Sequence, residues 1–421
     1  MLHNTRMVSN VNYQIEDVFS PRSFPQNTYI SRKLDDEETV DDRLRRALAM
    51  KGNLIFVSGA SKSGKTVLCH KAIAAESYIA LSGNQISTKA DFWNHIAEQL
   101  PLSDAVVMTT SGQDTAAKTG QAQFAVNFGV ANMGVSINKT NGAAFNQQLA
   151  MTNNRTERQI IQYLIDNDKV LVIDDFHYVA REMQMYIART LKTELFNGLK
   201  AVIISLPHRS DEAIICNPDL IGRTTSIEIL PWTAAELKAI AVKGFKLLGM
   251  PIGEVEENLL AQESITSPQL MQENCFQLAF AAMQKKQSIS LELVHFAFKQ
   301  TARNYAHYER LVKAIVQGPV QGIGRRKLYA LAQGSVDIYH LLLLAFKADP
   351  PVTELSMVTL KERIKGLLLS KELLSSTIIS ATINKIIKIV EATMPELDAL
   401  EYKAQCLYIL DPFLLFYLRW K

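Results

Sequence analysis

Gly59, Ala60, Ser61, Lys62, Ser63, Gly64, Lys65 and Thr66 fill the pattern G-x-x-x-x-G-K-[ST] without a gap. The glycines let the backbone curl so that its N–H groups point into one concavity, a nest for phosphate oxygens. A helix should start at Lys65, with Val67 in its first turn, and adds its positive end to that nest. Lys65 brings a point charge for β- and γ-phosphates, and Thr66 a hydroxyl for Mg²⁺. Magnesium takes oxygen ligands and keeps several waters, so a carboxylate is needed nearby. Four apolar residues, 170–173 (VLVI), run into Asp174 and Asp175, which supply it. Asp174 is expected to hold the metal, through a water, and Asp175 stands where a hydrolytic site would keep its general base. Aspartate is one methylene shorter than glutamate, which predicts slow turnover and a switch rather than a motor. His177 and Tyr178 follow; they either line the site or pack into a turn.

Three further residues lie where charge on a terminal phosphate could be sensed. Ser205 ends the apolar run 201–206 (AVIISL), and Arg209 follows in SLPHR. Arg223 closes NPDLIGR, just before another apolar run. A guanidinium near a γ-phosphate stabilises transition-state charge and can come from a neighbouring subunit. The alternative for either arginine is a surface ion pair.

Positioning such groups requires strands alternating with helices. Residues 53–58, 78–81, 170–173, 201–206 and 227–230 read as strands, and 53–58 leads straight into the glycine loop. Residues 35–50, 65–75, 91–100, 156–165 and 179–196 read as helices. That alternation predicts an α/β core with a parallel sheet. Ligands of such sheets bind at the carboxyl ends of the strands, which would bring Asp174 beside the loop. Residues 103–154 interrupt the pattern. Within them Phe124, Val126, Phe128 and Val130 alternate, then Met133, Val135 and Ile137, a period of two that predicts a β-hairpin insertion. It is either a partner-contacting element or an inert loop. After Pro231 the strand signals stop, and 233–248, 254–262, 268–285 and 291–314 read as helices. A Gly-rich basic linker leads to helices at 336–346, 360–368 and 376–390 and a strand at 402–410. The expected organisation is an arm (1–28), the core (29–231), a helical region (232–316), the linker (317–335) and a C-terminal domain (336–421).

Composition narrows the class. A net charge of +3 argues against a wholly electrostatic nucleic-acid binder, although a local patch at Gly324-Arg325-Arg326-Lys327 could contact phosphates or form a solvated linker. Cys69, Cys216, Cys275 and Cys406 are far apart, so neither a disulfide framework nor a zinc site is indicated. No apolar run reaches membrane-spanning length, and the N-terminus lacks a signal-peptide core. The expected location is the cytoplasm.

The order of these elements resembles the AAA+/STAND branch of P-loop ATPases, on Gly59–Thr66, VLVIDD (170–175), AVIISLPHR with Ser205, NPDLIGR ending at Arg223, and LPWTAAEL (230–237). In that family the last two stretches resemble the arginine-finger box and the start of the helical lid. The double aspartate is closer to STAND proteins. Thr266-Ser267-Pro268-Gln269-Leu270 resembles their lid motif, whose proline packs on the base. The ending ILDPFLLFYLRW resembles archaeal-type STAND ATPases, and the three C-terminal helices resemble a winged-helix domain, as in origin-recognition AAA+ proteins. The resemblance implies a P-loop core, a helical lid and a winged helix, with ATP and Mg²⁺ as ligands. It also implies a homo-oligomer joined through Arg223 and an effector protein in trans, as in prokaryotic antiviral defence. The competing reading is a DNA-binding AAA+ regulator or loader using the winged helix with Arg325, Arg326 and Lys327. A small-molecule kinase does not explain the C-terminal half.

Overall fold

The computed structural model describes residues 13–34, 38–101, 157–206, 222–319, 326–370 and 374–421. The hairpin expected within 103–154, together with Arg209, Arg325 and Cys216, lies outside the described residues. Contacts divide the chain into two compact units. One holds the described residues up to Arg32, the loop tip Ala60–Gly64 and Leu230–Lys421; the other holds Lys33–Gly59 and Lys65–Ile229.

The α/β unit is built on β1 (Leu54–Gly59), β2 (Tyr78–Ser82), β3 (Val170–Asp174), β4 (Lys200–Ser205) and β5 (Thr224–Ile229), in the order β2-β3-β4-β1-β5. All four pairings are parallel. Both faces are covered, which explains why the central strands β1, β3 and β4 read as continuous apolar runs. Leu54, Phe56, Leu171, Ile173, Ala201 and Ile203 pack on one side, with residues from the helices Lys89–Ala97 and Arg181–Phe196. Their alternates Ile55, Val57, Val170, Val172, Val202 and Ile204 pack on the other, with residues from Val40–Ala49 and Lys65–Ala72. This order places β4 between β1 and β3. Their carboxyl ends therefore lie about two strand spacings apart, roughly 10 Å, close enough for the loop after β1 to meet residues after β3.

The helical unit begins earlier than expected. Ile15, Val18 and Phe19 of the polar N-terminal stretch are buried. The Phe19 ring stands 5.1 Å from that of Phe245. At Gly244 an added Cβ would come within 2.3 Å of the Phe19 ring, so only glycine admits this docking. Four helices follow β5: Ala234–Leu247, Glu254–Glu263, Pro268–Lys285 and Leu291–Asn304. The single helix expected over 291–314 is in fact two; the second is Tyr308–Gln317. At the break, the Tyr305 ring lies tilted against Phe413 at 4.7 Å, and Tyr308 donates a short hydrogen bond to the buried Asp411 carboxylate. Burial pushes that carboxyl up, while the Tyr308 bond opposes the shift.

The C-terminal part also differs from expectation. A hairpin, β6 (Tyr329–Leu331) with β7 (Gly334–Val336), lies within the residues read as linker. The helices Ile338–Phe346, Met357–Leu367 and Ser376–Thr393 were expected. The strand expected at 402–410 is two strands, β9 (Leu400–Lys403) and β10 (Cys406–Ile409), and β10 also pairs with β8 (Glu354–Ser356). The order from Ile338 to Ile409 is therefore helix–strand–helix–helix–strand–strand. A last helix, Pro412–Trp420, returns to the helices of the unit, with its Phe416 ring 5.7 Å from Phe298. No helix among the described residues is long and apolar enough to cross a membrane.

Candidate functional site

The loop Gly59–Thr66 leaves the carboxyl end of β1, and the helix Lys65–Ala72 starts at its lysine. Two positive φ angles bend it, 63° at Lys62 and 95° at Gly64. Gly64 adopts this without penalty, whereas a side chain at φ 63° costs Lys62 about 1–2 kcal/mol. The turn closes with Ser63 N–H donating to the Ala60 carbonyl at 3.3 Å. Lys65 Nζ donates to the carbonyl of Gly59 at 2.9 Å. The ammonium is thus held over the loop that it is expected to complete.

Thr66 and Asp174 meet directly: Thr66 Oγ1 donates to Asp174 Oδ2 at 2.5 Å, across 108 residues of chain. Asp174 Oδ1 accepts from the N–H of Asp175 at 2.8 Å, which fixes the carboxylate plane. These oxygens suit the expected metal. Thr66 would ligate it and Asp174 would hold it through a bound water. Asp175 adopts a left-handed backbone, φ 54° and ψ 36°, a conformation aspartate tolerates better than most residues. Its carbonyl accepts from the N–H of Tyr178 at 3.0 Å, which starts the short turn Phe176–Tyr178. Of the two readings of His177 and Tyr178, the tilted ring contact at 4.2 Å fits the packed turn.

One contributor has no counterpart in the motifs. A Cβ added to Gly83, just past β2, would lie 2.2 Å from the Asp175 carbonyl oxygen and 3.2 Å from Val179 Cγ2. Glycine there lets the backbone of Asp175 close on the end of β2. Its only signal in the sequence is a glycine directly after a strand.

Ser205 ends β4 beside Ser58, and its hydroxyl is buried with no hydrogen-bond partner among the described residues. A buried, unsatisfied donor at the carboxyl edge is costly unless something comes to meet it. Cys69 lies in the loop's helix. Burial, and then the Asp174 carboxylate, hold its thiol far above the ordinary value, so it remains protonated and takes no part as a nucleophile. Tyr78, stacked at 4.1 Å on His70, is raised for the same two reasons together with Cys69.

The remaining predicted residues fall elsewhere. Arg223 is exposed and precedes β5, and its carbonyl accepts from Leu54 N–H. It stands at the amino edge of the sheet, whereas Gly59 pairs with Ile229 at the far end of the same strand. Pro268 is the first residue of its helix, whose cap Ser267 accepts from Leu270 N–H at 3.2 Å. Arg326 is committed locally. It bonds Asp337 at 2.8 Å and the Gln317 carbonyl at 2.7 Å, and covers the Tyr339 ring. Lys327 stands over the Tyr329 ring.

No known family model matches this chain, and no curated protein matches it. Among solved structures it is similar to Cdc6p from Pyrobaculum aerophilum, at 14% identity and TM-score 0.44 over 96% of this chain and 97% of that one. It is also similar to a Walker-type ATPase of Pyrococcus abyssi, at 11% identity and TM-score 0.45 over 92% and 97%. The Aeropyrum pernix ORC2 protein gives 12% identity and TM-score 0.47 over 93% and 94%.

Proposed function

We propose that the chain binds ATP with Mg²⁺ at Gly59–Thr66 and Asp174–Asp175, hydrolyses it slowly, and works as a nucleotide-dependent switch. The contact of Thr66 Oγ1 with Asp174 Oδ2 carries this reading, because it joins the two oxygen donors that a P-loop site needs. Thr66 and Asp174 would hold the metal, which supplies charge neutralisation on β- and γ-phosphate oxygens. Lys65 would exchange the Gly59 carbonyl for a phosphate oxygen. Asp175 would take the proton of the attacking water, and the unsatisfied Ser205 hydroxyl would donate to the terminal phosphate. The helical unit and its winged helix would carry the response to a partner protein.

Calorimetry with ATP, in the presence and absence of Mg²⁺, tests the site. Lys65→Ala should abolish nucleotide retention. Thr66→Ala and Asp174→Asn should retain weaker binding that no longer depends on Mg²⁺. Unchanged affinity in Lys65→Ala would overturn the proposal.

A further inference from the structure

The start of the helical unit holds one peptide of the phosphate loop. Trp232 is buried, and its indole Nε1–H donates to the carbonyl of Ser63 at 2.8 Å. The ring is itself locked. The Arg32 guanidinium carbon lies 4.8 Å from the Trp232 ring centroid. Arg32 Nε donates to Glu236 Oε1 at 2.8 Å, and Nη2 to Oε2 at 3.2 Å. Its remaining donors reach the carbonyls of Leu230 at 2.8 Å and Pro231 at 3.2 Å, the two residues immediately before Trp232. Glu236 in turn caps the next helix through Thr233, and Arg32 and that cap draw its carboxyl below the usual range against the opposing effect of burial. Arg32, Ser63, Trp232 and Glu236 all belong to the same unit.

A trans peptide is planar, with its C=O and N–H pointing in opposite directions. Fixing the Ser63 carbonyl therefore fixes the Gly64 N–H on the opposite side of the same plane. That N–H belongs to the nest expected to face phosphate, and Gly64, at φ 95°, has no side chain to restrain it. A buried indole usually finds an acceptor, so burial alone accounts for a bond but not for which carbonyl accepts it. The choice of acceptor argues for more. Phenylalanine would fill most of the same core volume without a donor, and the carbonyl that Trp232 selects is the one adjoining the last glycine of the loop.

We propose that Trp232, clamped by Arg32, is a positioning residue for the phosphate loop: its indole N–H sets the 63–64 peptide so that Gly64 N–H is aimed before nucleotide arrives. This rests on the nucleotide-binding reading above. Trp232→Phe keeps an aromatic side chain and deletes the bond, and should weaken binding of a fluorescent ATP analogue, with Mg²⁺, by about 2- to 12-fold, the usual worth of one hydrogen bond. Arg32→Lys keeps the charge but loses the two-pronged grip, and should shift affinity in the same direction with Trp232 intact. A purely structural role would lower the melting temperature and leave affinity well below it untouched. Wild-type affinity in folded Trp232→Phe and Arg32→Lys would overturn the inference. Absence of binding by the wild type would overturn the nucleotide reading, and this inference with it.

Discussion

At the scale of single residues, the site separates holding a metal from activating water. Asp174 has both oxygens engaged, one by Thr66 and one by the next backbone N–H, so its carboxylate is fixed in advance. Asp175 is set by its backbone instead, through a left-handed turn closed by Tyr178. If Asp175 is the base, Asp175→Asn should leave ATP affinity within about twofold and slow phosphate release by about 10²–10⁴, the range of general-base catalysis. A steady-state phosphate assay decides it, and an unaltered rate removes Asp175 from that role. Gly83 gives an independent check. Gly83→Ala places a methyl 2.2 Å from the Asp175 carbonyl oxygen, and neither backbone can yield without moving the turn. The expected cost is about 1–3 kcal/mol of stability, with turnover falling further than affinity. Thermal unfolding and the same assay, run on one preparation, measure both.

At the scale of elements, what could be read in advance follows physical signal strength. The three central strands, β1, β3 and β4, were legible because each is buried on both faces and carries an apolar run ending at a polar or glycine residue, whereas the edge strand β5 (TTSIEI) shows its apolar half alone. The loop and the acidic strand end were legible for the same reason. By contrast, β8 has three residues, too few to show a period. The hairpin β9–β10 reads as one strand because its turn is made by Ala404 and Gln405, at φ 48° and 60°, without the Asn-Gly or Asp-Gly that marks such turns. The break after Asn304 has no Pro or Gly; rings from the final helix impose it. Trp232 and Gly83 escaped notice because their roles are set by partners distant in sequence. Tertiary contacts of this kind also explain the Arg-Trp ending. Arg419 meets Glu263 through Nε at 2.8 Å and Nη2 at 2.5 Å, Trp420 donates to Glu263 at 2.6 Å, and the two ion-pair side chains are 10% and 3% exposed. Removing one partner of a pair so buried costs about 3–5 kcal/mol. Arg419→Ala should therefore lower the calorimetric melting midpoint by about 5–15 °C. Adding Glu263→Gln to that variant should recover part of the loss; equal midpoints for wild type and Arg419→Ala would show the pair contributes nothing.

At the scale of the whole molecule, the sheet decides what Arg223 can do. It precedes β5 at the amino edge, and the phosphate loop leaves β1 at the carboxyl edge. A strand of six residues separates these edges by about 17–20 Å, well beyond the reach of one arginine side chain. Within its own chain Arg223 cannot approach a γ-phosphate held at Lys65 and Thr66. If its charge serves catalysis, it must serve a second copy, so turnover would require assembly. Phosphate release per subunit should then rise with protein concentration in the wild type. Arg223→Ala should keep ATP affinity, lose that concentration dependence, and fall in rate by about 10³-fold or more, as loss of an arginine finger does. Size-exclusion with light scattering, in ATP and in ADP, gives the parallel test: the wild type should enlarge with ATP and the variant should not. Equal assembly and equal rates in the two proteins would assign Arg223 to the surface alone.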